Sequence, residues 1–103
     1  MSVLKVTKDV FENLKKESKP VLIDFYADWC MPCQMMAPVV EELSNERDDI
    51  VVGKVDVDAE SELAMMFGVE SIPMLAVIKD GKLAAKTVGV CSKAQLNEMI
   101  DKA

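Results

Sequence analysis

The chain has 103 residues, half of them hydrophobic and 29% charged, a balance that fits one soluble domain with a single hydrophobic core. Eighteen acidic against twelve basic residues give a net charge of -6, which argues against a nucleic-acid partner. No apolar run approaches the ~20 residues of a membrane span, and three cysteines are too few, and odd in number, for a secreted disulfide framework.

Leu4 to Val6 reads as a short strand. Thr7 or Asp9 caps a first helix running to about Lys16, with Val10, Phe11 and Leu14 on one face. Lys15 to Lys19 is a charged connection, and Pro20 starts the next element. Val21-Leu22-Ile23-Asp24-Phe25-Tyr26 is apolar on both faces, as a central parallel strand is, apart from Asp24. Gln34 to Arg47 reads as an amphipathic helix with Cys33, Met36, Ala37, Val40 and Leu43 on one stripe. Pro32 sits in its first turn, where a missing N–H costs little, whereas Pro38 falls inside the pattern and is expected to kink it.

Ile50 to Val57 alternates as a second buried strand. Asp58 is placed as the cap of a short helix carrying Ala59, Leu63, Met66 and Phe67, with Gly68 ending it. Ile72-Pro73 opens a strand from Met74 to Ile78. Asp80-Gly81 is a two-residue hairpin signal leading into Leu83 to Val88. Ser92-Lys93-Ala94-Gln95 matches a capping box before a last helix with Leu96, Met99, Ile100 and Ala103 inside. The order is β-α-β-α-β-α-β-β-α, an α/β mixed sheet with helices on both faces. One domain over residues 1–103 is expected. The start, Met1-Ser2-Val3-Leu4-Lys5, lacks the basic and apolar pattern of a leader, so a reducing cytoplasm is the expected compartment.

Cys30 and Cys33, two residues apart at a strand-to-helix junction, are the candidate chemistry. A zinc site needs four ligands, and a chain with no histidine and one further cysteine does not supply them. A structural thiol pair has no need of this spacing. Redox exchange does, because it takes one exposed, acidic thiol and a second within reach to resolve a mixed disulfide. At a helix N-terminus Cys30 meets unpaired N–H groups that favour its thiolate, while Cys33, one turn in, is more buried. Asp24 has a plain reading, a carboxylate turned to solvent, and a sharper one. Apolar neighbours on both sides suggest burial, which raises a carboxyl pKa and suits a proton acceptor for Cys33. Pro73 by itself is simply a proline at a strand start.

The joint order of Val21 to Cys33, the in-helix Pro38, Lys54-Val55-Asp56, Ile72-Pro73 and Val88-Gly89 resembles the thioredoxin family over nearly the whole chain. That resemblance implies a thioredoxin fold, a central mixed sheet of about five strands flanked by about four helices. It implies Cys30 as attacking thiol, Cys33 as resolving thiol, Asp24 as the carboxylate moving protons for Cys33, and Lys54 beside Asp24 biasing its charge. Ile72-Pro73 would be a cis bond facing the dithiol, with the Ile72 backbone pairing to an extended substrate. Trp29, Gly89 and Val90 would complete the docking surface. The expected activity is reduction of protein disulfides by a monomer, with no bound cofactor beyond the redox-active Cys30-Cys33 disulfide, no metal and no membrane, recharged by a thioredoxin reductase.

Four positions depart from the family pattern. Met31 stands for the usual glycine between the cysteines and Gln34 for a common lysine, which removes one support for the thiolate. Tyr26 stands where a tryptophan is usual, and Met74 where threonine is common. Met31 and Met74, with Pro32, are expected at an adaptable apolar rim around the dithiol. Cys91 is expected as a small buried hydrophobe, with a regulatory thiol as the alternative. Two rival readings are a binding module of this fold with an incidental dithiol, and a dedicated electron donor to one enzyme.

Overall fold

A computed structural model describes residues 3–103. Nine elements follow in order: β1 (Leu4–Lys5), α1 (Lys8–Leu14), β2 (Val21–Tyr26), α2 (Met31–Glu46), β3 (Val51–Asp56), α3 (Ser61–Met66), β4 (Met74–Lys79), β5 (Lys82–Val88) and α4 (Lys93–Lys102). The five strands form one sheet in the order β1-β3-β2-β4-β5. β3 runs parallel to both β1 and β2, and β4 runs antiparallel to β2 and β5. The sheet is mixed because β2 and β3 are joined through a helix, while β4 and β5 are joined by a hairpin.

Strand alternation assigns two cores. Val21, Ile23 and Phe25 of β2 pack with Val55, Met74, Ala76 and Ile78 against Phe11, Leu14 and Leu63 of α1 and α3. Leu22 of β2 packs with Val52, Leu75 and Val77 against Met36, Val40, Leu43, Leu96 and Ile100 of α2 and α4. A side-chain period of two puts Leu22, Asp24 and Tyr26 on the α2/α4 face. Asp24 is therefore aimed under the helix that follows the cysteines.

Helix ends mostly follow their local chemistry. Thr7 caps α1, its Oγ1 accepting the Val10 N–H at 3.3 Å, and α1 stops at Leu14 rather than Lys16. α4 begins with both bonds of the capping box, Gln95 N–H to Ser92 Oγ and Ser92 N–H to Gln95 Oε1. Asp58 does not cap α3. Glu60 takes that place without a side-chain bond, and Asp56 Oδ1 accepts the Asp58 and Ala59 N–H groups in the preceding turn. In α3, Leu63 and Ala64 are buried, whereas Met66 is exposed.

α2 starts at Met31, three residues earlier than the hydrophobic pattern alone suggested, and continues through Pro38 to Glu46. Pro38 is exposed, so the bond it forfeits lies on the outer side of the helix. The buried stripe is Cys33, Met36, Val40, Leu43 and Ser44. Ala37, expected on it, is exposed instead.

Two glycines are set by geometry. A Cβ at Gly53 would meet Val6 Cγ2 at 2.5 Å, because β1 lies tightly along β3. At the β4–β5 turn, Asp80 and Gly81 have φ of 53° and 77°, the left-handed pair of a two-residue hairpin turn.

Candidate active site

β2 ends at the edge of the α2/α4 core, and the chain turns through Ala27-Asp28-Trp29 into α2. The Cys30 N–H bonds to the Ala27 carbonyl at 3.2 Å, which closes that turn. Cys30 is the N-cap of α2. Its Sγ accepts the Cys33 N–H at 3.3 Å, and its carbonyl accepts the Gln34 N–H at 3.1 Å. Caps of this kind place an N–H where a negative charge is favoured, here a sulfur.

Cys30 and Cys33 are joined as a disulfide, with Cα atoms 5.2 Å apart. The pair packs with Ala27 against Tyr26, Val57 and Ile72. Both cysteines are nearly closed off, Cys30 at 5% and Cys33 at 3% exposure, so the expected contrast between an open and a buried sulfur is slight in this oxidised state. The lid over Cys30 is the backbone of Ile72, whose carbonyl oxygen lies 3.9 Å from Cys30 Sγ.

Ile72-Pro73 is a cis peptide, as the resemblance implied. The Pro73 carbonyl accepts the Gly89 N–H at 2.8 Å, which ties the end of β5 to the start of β4. Gly89 has φ of 94° and is followed by exposed Val90. Trp29 is 71% exposed, and its indole N–H bonds to Asp58 Oδ2 at 2.8 Å, so two loops are stitched together beside the disulfide. Met31 is open to solvent, but Met74 is not: it lies 1% exposed in the α1/α3 core. Its position as the first residue of β4 turns its side chain inward, and it leaves the expected apolar rim. Pro73 is also buried.

Asp24 lies at 4% exposure on β2, directly across from Lys54 of β3. Among the described residues its Oδ1 has no hydrogen-bond partner. Burial raises its pKa to about 7, and the Lys54 charge pulls the other way without cancelling that effect. Lys54 also sits over the Tyr26 ring, 5.7 Å from its centroid. A cavity of about 250 Å³ is lined by Asp24, Tyr26, Lys54, Ala37, Asp28, Gln34 and Cys33. The carboxyl and the second cysteine thus open onto the same space.

Cys91 is a free, half-buried thiol just before α4. Its N–H lies against Met36 Sδ at 3.4 Å, and burial followed by the Asp24 charge pushes its thiol pKa up.

Two features escaped the sequence reading. One is Asp58, whose partner Trp29 lies 29 residues away, a distance no local pattern encodes. The other is a groove of about 300 Å³ beside the disulfide, lined by Trp29, Val57, Ala64, Met65, Glu70 and Ile72 among others. Met65 belongs to α3, where spacing alone did not show that it projects outward, 80% exposed.

The family model for thioredoxin matches residues 2–102. The chain belongs to the thioredoxin family. It is 43% identical over 102 residues to thioredoxin of Acidithiobacillus ferridurans, covering 97% of this chain and 94% of that one. Thioredoxin of Bacillus subtilis (strain 168) is 44% identical over 103 residues, covering 99% and 98%. A mutant thioredoxin from Halobacterium salinarum NRC-1 superposes with a TM-score of 0.91 at 37% identity, covering 98% and 89%. With the Cys30-Cys33 disulfide on a thioredoxin fold, this member of the family is a thiol–disulfide oxidoreductase, a protein-disulfide reductase. The reading as an incidental-dithiol binding module is not favoured. Among the described residues there is no cluster of His, Cys, Asp and Glu able to hold a metal, and no helix long and apolar enough to cross a membrane.

Proposed function

We propose that the thiolate of Cys30 attacks one sulfur of a substrate disulfide, expelling the other as a thiolate and leaving a Cys30–substrate mixed disulfide. The Cys33 thiol then gives its proton to the Asp24 carboxylate. Its sulfur attacks Cys30 Sγ, forms the Cys30-Cys33 disulfide and releases the second substrate thiolate. Two electrons from a thioredoxin reductase, with the proton that Asp24 returns to Cys33, restore the Cys30 thiolate and the Cys33 thiol. The observation that carries this assignment is the shared cavity of Asp24 and Cys33. A carboxyl with a pKa of about 7 holds and returns a proton near neutrality. The cap bond from the Cys33 N–H supports the thiolate on Cys30, and Lys54 tunes Asp24 by its charge.

Substrate lies along the cis Ile72-Pro73 backbone, flanked by Trp29, Met31 and Pro32 on one side and Gly89 and Val90 on the other. Ile72, half-buried and just outside β4, suits pairing of its backbone with an extended segment. The protein works as a single-domain monomer in a reducing cytoplasm, on disulfide-bearing proteins.

Cys33→Ser should leave attack intact and remove resolution. Incubated with a disulfide-bonded protein, that variant should accumulate a covalent adduct at Cys30, visible on a non-reducing gel and by mass. Adduct formation by Cys30→Ser in place of Cys33→Ser would reverse the two roles.

A further inference from the structure

The groove beside the disulfide joins an apolar floor to an acidic rim. Val57 and Ile72 belong both to the groove and to the packing around Cys30 and Cys33, so a side chain seated there lies next to the reacting sulfurs. Trp29 and Met65 form apolar walls and are among the most exposed large side chains of the molecule. The one charged residue among those lining the groove, Glu70, is negative. Glu70 lines the groove and makes no ion pair among the described residues, and Asp58 stands at its edge, bonded to the Trp29 indole. No lysine or arginine lines it. The nearby cation on α1, Lys8, is already paired with Glu62 at 2.9 Å. Glu70 also lines a second hollow, of about 240 Å³, together with Lys86 and Val88 of β5.

We propose that this groove selects substrate segments carrying an apolar residue and a lysine or arginine next to the reactive cysteine, with Glu70 the principal charge-reading residue. The proposal rests on the disulfide-reductase reading and names the class of protein disulfide that reaction prefers. An apolar side chain fills the space between Trp29 and Met65. The adjacent cation meets Glu70 and the Asp58 carboxylate at the water-exposed rim. An acidic segment in the same place meets like charge from both. The interaction is at the surface, so it acts as selection among substrates and on encounter rate rather than as tight binding.

The test uses matched peptide disulfides in which a leucine neighbours the cysteine and the next residue is arginine, glutamine or glutamate. With the full chain as reductant and dithiothreitol as electron source, kcat/KM should rise from glutamate to arginine by about tenfold, two surface ion-pair effects of opposite sign. Raising ionic strength well above physiological should shrink that ratio, since the Debye length falls to about 3 Å at 1 M. Glu70→Gln should reduce the ratio by about threefold, and Glu70→Lys should move the preference toward glutamate. Asp48→Asn, which changes net charge equally beyond the far end of α2, should leave the ratio as it was. A ratio near one at low salt, or an equal response to Glu70→Gln and Asp48→Asn, overturns the proposal. Failure to reduce even an uncharged disulfide such as hydroxyethyl disulfide would instead overturn the reductase reading on which it rests.

Discussion

The two faces of the sheet are built from the same strands and to different rules. Toward α1 and α3, β2 presents Val21, Ile23 and Phe25, and every buried partner there is apolar. Toward α2 and α4 it presents Leu22, then Asp24, then Tyr26, so the apolar packing of Leu22, Val52, Leu75 and Val77 gives way to a carboxyl and a cavity as the strand nears the cysteines. One face is spent on holding the fold. On the other, burial of a carboxyl whose Oδ1 has no hydrogen-bond partner among the described residues costs stability, and that cost keeps a titratable group near neutrality beside a thiol. The contrast shows that the division between scaffold and chemistry here runs through the middle of single strands, residue by residue.

The largest expected effect on the scaffold side is from Phe25→Ala. Phe25 is wholly buried, with its ring 5.4 Å from that of Phe67, and its truncation should cost about 3–5 kcal/mol by urea unfolding. Disulfide exchange by the molecules still folded should be little changed. A stability loss no greater than that of a surface variant would break the comparison.

Asp24→Asn should act in the opposite sense. The folded pKa of Asp24, about 7, lies above its unfolded value near 3.9, so the folded state holds the proton more tightly. Stability attached to the neutral carboxyl is complete below about pH 4 and is lost as pH rises to about 7, with no further change above. Relative to Asp24→Asn, the protein should lose about 3–4 kcal/mol across that window, other carboxylates cancelling in the difference. Parallel pH profiles for the two proteins would show that Asp24 titrates normally. The same variant should slow resolution of the mixed disulfide most at neutral pH, read in single-turnover release of reduced substrate.

The smallest effect belongs to the outer surface of the α2/α4 layer. Lys93 bridges Glu42 and Glu46 across the two helices, but both carboxylates are exposed to water. Lys93→Ala should cost less than about 1 kcal/mol and less again in high salt. A larger loss would mean that the two helices are held together by charge rather than by Met36, Leu43, Leu96 and Ile100.

Much of this was legible in the chain. The apolar run of β2, the Ser92 capping box and the Asp80-Gly81 turn are local signals, and each formed where the residues placed it. Asp24 was legible for the opposite reason, as the single polar residue in an apolar run. Spacing did less well where a position is decided from a distance. Met74 looked like rim because it follows Pro73, yet the inward turn of the first β4 residue depends on its pairing with Phe25 and Val88. Asp58 looked like a helix cap because its side chain suits one, and the Trp29 indole claimed it instead. Ala37 fitted the buried stripe of α2, but it lies over the cavity beside Asp24, where no neighbouring side chain fills the space.

Asp24 also bears on which sheet can form at all. β2 pairs with β3 and β4 in one register, with Asp24 opposite Lys54 and Leu75, and a slip of one residue would exchange the faces of the entire strand. In that alternative the carboxyl would enter the layer of Phe11, Leu63 and Phe67, with neither cavity nor Lys54 beside it, while Phe25 would be thrust toward the cavity. The acid that weakens the native sheet would weaken the misaligned one more, and so favours the native register over that slip.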